Sequence, residues 1–178
     1  MIGADGRRLA HEVCGVAGRE ISNDRAEGID RRAGEIYGEL NTAPQPLPGA
    51  INLLRALERS RLRWAIATSS RAAQVQRSVD ALELAGQPII VDGSHVEHAK
   101  PAPDLLLQAA ERLFAPAHAC WNVGDSTWDM AAAKAAAMTA VGVPTGAATA
   151  TDLLDAGAHA VGSLAEIESE LRRRGLLD

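Results

Sequence analysis

From about residue 50 onward, this chain alternates two kinds of segment, and that alternation narrows its possible folds more than any other feature. Five short apolar runs (Arg63–Ala67, Pro88–Val91, Ala119–Val123, Thr139–Val143 and His159–Val161) are each flanked by stretches with helical spacing. Those stretches are Ala50–Ser60, Arg71–Leu84, Asp104–Leu113, Thr127–Ala137, Thr151–Ala156 and Leu164–Arg174. In the first, Ala50, Leu53, Leu54 and Leu57 make one stripe; in the third, Leu106, Ala109, Ala110 and Leu113 do so. The short runs are nearly continuous in apolar residues, as expected of strands covered on both faces. Strand and helix in strict alternation predict a parallel sheet with right-handed crossovers, a doubly wound α/β domain.

Upstream the texture differs. Ala26, Ile29, Ala33, Ile36, Tyr37 and Leu40 fall on one face of a predicted helix, and then comes APQPLPGA, Ala43 to Ala50. Proline removes a backbone donor and clashes with the preceding turn, so no helix runs through that segment. It marks a boundary between residues 1–42 and 43–178.

Composition excludes several classes. The net charge is -5, and no basic block is long enough to follow a nucleic-acid backbone. The Arg172–Arg174 run closes a helical pattern, where positive charge complements the helix dipole. Cys14 and Cys120 are far apart, so neither a disulfide framework nor a zinc site is indicated. The N-terminus has no apolar signal core, and the longest uncharged stretch, Ala135–Thr151, contains Pro144 and two glycines. A cytoplasmic protein without membrane or nucleic-acid partners is expected.

In open parallel sheets ligands bind beyond the carboxyl ends of the strands. After the first apolar run comes Thr68-Ser69-Ser70; after the second, a loop carrying Lys100; after the third, Gly124-Asp125, with Asp129 in the first turn of the next helix. Lys100 is one of only two lysines among 18 basic residues, which makes its position worth inspecting. Each residue has an ordinary reading: Thr68 or Ser69 as a helix cap, Lys100 as a solvated charge, Asp104 as an N-cap, Asp129 as a first-turn carboxylate. Taken together and in order, they read as a phosphate site with a metal. A hydroxyl and an ammonium bind phosphate oxygens, and paired carboxylates call for a divalent cation such as magnesium. His95 and His98 lack further ligands nearby and read as loop-surface residues. Trp64, Trp121 and Trp128 read as packing residues, with a pocket wall as the alternative for Trp128. Cys120 reads as a buried inert thiol and Arg71 as a solvated helix end.

Thr68 after its strand, Lys100-Pro101-Ala102-Pro103-Asp104, and Gly124-Asp125-Ser126-Thr127-Trp128-Asp129 resemble the second, third and fourth motifs of the haloacid dehalogenase superfamily. The likeness is to its capped phosphatase branch, the phosphoglycolate phosphatase and β-phosphoglucomutase type, and it covers almost the whole chain. It implies a Rossmann-like core over 43–178, with 1–42 as the latter part of a helical cap. It also implies that Thr68 and Lys100 bind the phosphoryl group and that Ser69 lends its backbone N–H. Asp125 would ligate Mg²⁺, with Asp129 supporting the metal through water. The implied substrate is a small phosphorylated metabolite, and the implied state a monomer.

One motif is missing. Family members carry DxDGT at the end of a central first strand, its leading aspartate the nucleophile and its second the general acid/base. Only Asp5-Gly6 approaches it, and Gly3 stands where the nucleophile should be, with Arg7 in place of the threonine. Losing a central strand with four large buried side chains forfeits ~6–12 kcal/mol at ~1.5–3 each, against a typical stability of ~5–15 kcal/mol. A gap or exposed backbone edges are therefore expected. The expectation is an N-terminally incomplete phosphatase, with Met1 an internal methionine of a longer frame, inactive as given. The competing expectation is a non-catalytic phosphate-binding or protein-interaction module.

Overall fold

The computed structural model describes residues 6–96 and 98–178. Asp5 lies outside the described residues, and so does the side chain of His95. Two helices, α1 (Gly6–Val16) and α2 (Asn23–Leu40), come first. A proline-containing linker leads to α3 (Ala50–Arg59), and then strand and helix alternate as β1 (Ala65–Ala67), α4 (Ala72–Asp80), β2 (Ile89–Val91) and α5 (Asp104–Arg112). The chain continues through β3 (Trp121–Gly124), α6 (Thr127–Ala135), β4 (Thr139–Gly142), α7 (Ala150–Asp155), β5 (Ala160–Val161) and α8 (Leu164–Arg173).

Every strand anticipated from the apolar runs forms, and every strand pairing is parallel. Ala65 pairs with Ile89, Trp121 with Thr139 and Val141 with Ala160. The helices begin where side chains satisfy their first amides. Ser126, Thr149 and Ser163 each accept from the backbone N–H three residues on, and the carboxylates of Asp129, Asp152 and Glu166 reach back to the cap. The helix expected over Arg71–Leu84 stops at Asp80, short of Glu83, whose φ of 51° is left-handed.

The strands divide into two sheets, β1–β2 and β3–β4–β5. Among the described residues β1 and β3 each keep one edge without a strand partner. This is the gapped outcome anticipated for a sheet without its central strand. Coverage on both faces is correspondingly incomplete: Val123 on β3 is 41% and Ile89 on β2 is 37% exposed. β4 is the strand with neighbours on both sides and both faces covered. Its Ala140 packs with Leu106, Met130, Ala133 and Leu153, while Val141 turns the other way onto Leu53, Ile167 and Leu171. A third, smaller cluster joins Val91 to Leu105 and Ala109 under β2. Ala67 of β1 packs against both the first and the third cluster.

The apolar stripe of α2 is covered only in part. Ile29, Ile36, Tyr37 and Leu40 stay exposed, whereas Ala26 is buried and Gly34 faces α4. A Cβ at Gly34 would collide with the Gln74 side chain, so the two helices meet through a glycine.

Candidate functional site

The loop leaving β1 is held by the loop leaving β2. The Thr68 N–H donates to the Val91 carbonyl at 2.9 Å, prolonging the ladder by one residue. Its Oγ1 then accepts from the Ser70 N–H at 3.2 Å, a local turn that fixes the hydroxyl beyond the strand end. Thr68 is thus no helix cap; Arg71 takes the N-cap position of α4. Gly93 approaches Ser69 so closely that a Cβ there would collide with the Ser69 carbonyl oxygen.

Asp92 ties these loops together and was not singled out from the sequence. Its carboxylate is buried; Oδ2 accepts from the Ala72 N–H at 2.8 Å, at the start of α4. Oδ1 accepts from the Ser94 N–H at 2.8 Å and from the Ser94 hydroxyl at 2.5 Å. The one available signal was an Asp-Gly pair directly after a buried strand, where a carboxylate is costly unless hydrogen-bonded.

Lys100 is buried, which rules out the solvated reading. Its Nζ donates to Asp129 Oδ1 at 2.6 Å. The chain reaches this position through a turn in which the Ala102 N–H donates to the Ala99 carbonyl, and the Lys100–Pro101 peptide is cis. Asp104 opens α5 without capping it, and its carboxylate instead meets His98 Nδ1 at 3.0 Å. His98 itself is exposed, as expected of a loop-surface residue.

Asp129 engages both of its oxygens within the protein. Beyond Lys100 on Oδ1, Oδ2 accepts from the Ser126 N–H at 3.1 Å and the Ser126 hydroxyl at 2.6 Å. The ordinary reading of Asp129 as a first-turn carboxylate is therefore true, yet incomplete, because the same group is ion-paired to a buried lysine. Room for it comes from Gly124, where a Cβ would lie 2.5 Å from Asp129 Cβ. The Asn122 amide adds a hydrogen bond to the Asp129 carbonyl at 3.3 Å.

Asp125 is half-buried between these groups and the loop after β4. Burial, and then the charge of Asp129, push its carboxyl above the ordinary carboxylate range; a backbone hydrogen bond and Lys100 act in the opposite direction. A Cβ at Gly146 would sit 2.6 Å from Asp125 Oδ2, so that loop closes directly onto the carboxyl. A cavity of about 220 Å³ opens here, lined by Asp125, Ser126, Thr127, Trp128, Ala147, Ala148 and Asp152. Trp128 therefore forms pocket wall, and the Arg8 guanidinium of α1 stacks over its ring at 4.7 Å. Cys120, just before β3, is only partly buried; burial raises its thiol pKa and its Sγ points to the Pro116 carbonyl.

No group of three or more His, Cys, Asp or Glu side chains suited to a metal ion occurs among the described residues. Asp129 already accepts from Lys100 and Ser126 within the protein, and Asp125 is the carboxylate more open to a cation. Its raised pKa is the mark of a carboxyl that a nearby positive charge would relieve. One carboxylate with room for water and phosphate oxygens fits magnesium, which binds through one or two carboxylates and keeps much of its water.

The family model of haloacid dehalogenase-like hydrolases matches residues 7–137. Among curated proteins, the probable phosphatase IndB of Dickeya dadantii is 36% identical over 140 residues, 76% of this chain and 60% of that protein. Phosphoglycolate phosphatase of Escherichia coli is 33% identical over 119 residues, 66% of this chain and 46% of that protein. The chain thus spans about half the length of these relatives. Among solved structures, a hydrolase from Pseudomonas syringae superposes with a TM-score of 0.90 at 32% identity, over 97% of this chain and 80% of that one.

Proposed function

The chain belongs to the haloacid dehalogenase-like hydrolases, and on that premise we propose that it is the phosphoryl-binding part of a magnesium-dependent phosphatase for small phosphorylated metabolites. The observation that carries this reading is the buried Lys100–Asp129 pair beside the half-buried Asp125, at the carboxyl end of β3. A buried lysine held by one carboxylate is a fixed positive charge, suited to the equatorial oxygens of a phosphoryl group. In this reading Thr68 Oγ1 and the Ser69 N–H donate to the same oxygens. Asp129 holds the Lys100 ammonium in place and supports the metal through water. Asp125 holds Mg²⁺, which when bound neutralises charge on the phosphoryl oxygens. Residues 1–42 act as part of a cap over a core of 43–178, and the protein is a cytoplasmic monomer; no described helix is long and apolar enough to cross a membrane.

No residue in the sequence matches the family's DxDGT nucleophile motif. The 178-residue chain is therefore expected to bind phosphate esters without cleaving them. Calorimetry with inorganic phosphate and MgCl₂ tests the binding half of this reading: the wild type should bind, and Lys100→Ala and Asp125→Asn should each weaken binding at least ~tenfold, as for loss of a charge-assisted contact. Equal affinity in all three proteins would overturn the assignment. Turnover of p-nitrophenyl phosphate by the wild type that Asp125→Asn abolishes would instead refute the expected lack of catalysis.

A further inference from the structure

The loop leaving β2 holds the segment leaving β1 at both of its ends. The Val91 carbonyl accepts from the Thr68 N–H at 2.9 Å, and the Asp92 carboxylate accepts from the Ala72 N–H at 2.8 Å. Between these ties Gly93 lies against the Ser69 carbonyl, and its own N–H points to the Ser70 carbonyl at 3.5 Å. Nothing local could replace the second tie. The N-cap residue of α4 is Arg71, and an arginine side chain has no acceptor to offer a helix amide. The cap of Ala72 therefore comes from a residue 20 positions away, on the loop that runs on to Lys100.

Asp92 is 4% exposed, and a buried carboxylate is costly unless it is well hydrogen-bonded. An asparagine would avoid the buried charge, but it presents a single acceptor oxygen. The two Asp92 oxygens accept from the Ala72 and Ser94 N–H groups at once. We propose that Asp92 is a positioning residue for phosphoryl binding: by pinning the start of α4 to the loop after β2, it fixes Thr68 and Ser69 relative to Lys100. This deepens the phosphoryl-binding reading above and rests on it. Asp92 also stands directly after β2, at the strand ends where the phosphoryl group would sit, so its negative charge opposes an anion there. Geometry and charge thus push phosphate affinity in opposite directions, and the sign of a substitution's effect tells them apart.

Calorimetry with inorganic phosphate and MgCl₂, on the 178-residue chain well below its melting temperature, reads that sign. Asp92→Asn should weaken phosphate binding at least ~tenfold, as for losing a hydrogen bond to a charged group. Ser94→Ala keeps the carboxylate and its Ala72 bond but removes the hydroxyl contact, and should weaken binding by about threefold. Gly93→Ala changes no charge but drives a Cβ into the Ser69 carbonyl, and should weaken binding as well. A role in stability alone would lower the melting temperature of these variants and leave the phosphate affinity of the folded protein unchanged. Affinity in Asp92→Asn equal to or tighter than wild type, where Lys100→Ala does lose phosphate, overturns the positioning role and leaves the phosphoryl-binding reading standing. If Asp92→Asn does not fold, Ser94→Ala and Gly93→Ala decide, and wild-type affinity in both overturns it. A wild type that binds no phosphate overturns the parent reading, and this one with it.

Discussion

The Lys100–Asp129 pair is where single residues carry the most consequence. Both side chains are about 8% exposed and meet at 2.6 Å, so neither charge has an ample alternative in water. Removing one member leaves the other uncompensated, and Lys100→Ala is expected to lose ~3–5 kcal/mol of stability in a urea melt. Replacing both with apolar residues of similar size, Lys100→Met with Asp129→Leu, should recover much of that loss, because the desolvation penalty leaves with the pair. A double variant no more stable than the single one would show that the Ser126 cap, not the ion pair, dominates. Asp125 behaves oppositely. Its carboxyl titrates above the ordinary 3.8, so the folded protein holds that proton more tightly than the unfolded chain does. The resulting stabilisation is complete below 3.8 and is lost as pH rises through the folded pKa. In the presence of a chelator, Asp125→Asn should melt at a higher temperature than wild type at pH 7, with the difference closing below the ordinary value of 3.8. A variant less stable at neutral pH would contradict this. The grouping of Lys100, Asp125 and Asp129 was legible in the sequence because each follows a strand in the order that brings loops to one rim of a parallel sheet. Asp92 was not, since its role depends on two loops whose approach no local pattern encodes.

Helix starts offer a test of how much each element depends on its own first turn. Ser163 caps α8, accepting from the Glu166 N–H at 3.2 Å, while Glu166 Oε2 accepts from the Ser163 N–H at 2.7 Å. Ser163→Ala should cost ~1 kcal/mol, read as a shift in the urea midpoint. Hydrogen bonds from the Ser163 backbone and hydroxyl hold the Glu166 carboxyl below its ordinary value of 4.5. The stabilisation is therefore present above 4.5 and is lost as pH falls through the lowered pKa, so the wild-type advantage over Ser163→Ala should shrink in acid. A difference that holds constant down to pH 3 would show that the carboxylate takes no part. At this scale sequence periodicity served well: helix and strand positions follow from apolar spacing, and the structure trims their ends by a few residues. The stripe read on α2 is covered only in part: Ala26 is buried while Ile29, Ile36, Tyr37 and Leu40 stay exposed, and the helix meets α4 at Gly34 and through the polar groups of Gly38 and Asn41.

The whole molecule is divided where its sheet is divided. β3–β4–β5 sits between two substantial clusters, one around Met130 and Leu153 and one around Leu53, Ile167 and Leu171. β1–β2 rests chiefly on the smaller cluster of Val91, Leu105 and Ala109, which is linked to the first cluster through Ala67 and through α5, whose Leu106 and Ala110 belong to that first cluster. The open edges of β1 and β3 mean that no backbone ladder couples the two halves among the described residues. Alternating apolar runs predict strands of a parallel sheet, but they do not reveal which neighbour each strand lacks. With fewer fully buried side chains and no ladder to the larger sheet, β1–β2 should open at lower free energy than the rest. Native-state hydrogen exchange at increasing urea should show the amides of residues 65–68 and 89–91 losing protection before those of 139–142. Val91→Ala should widen that separation, because it empties the smaller cluster and leaves the larger ones intact, and Leu153→Ala should narrow it. Loss of protection at one common urea concentration in all three proteins would mean that Ala67 and the α5 contacts already join the halves into one cooperative unit.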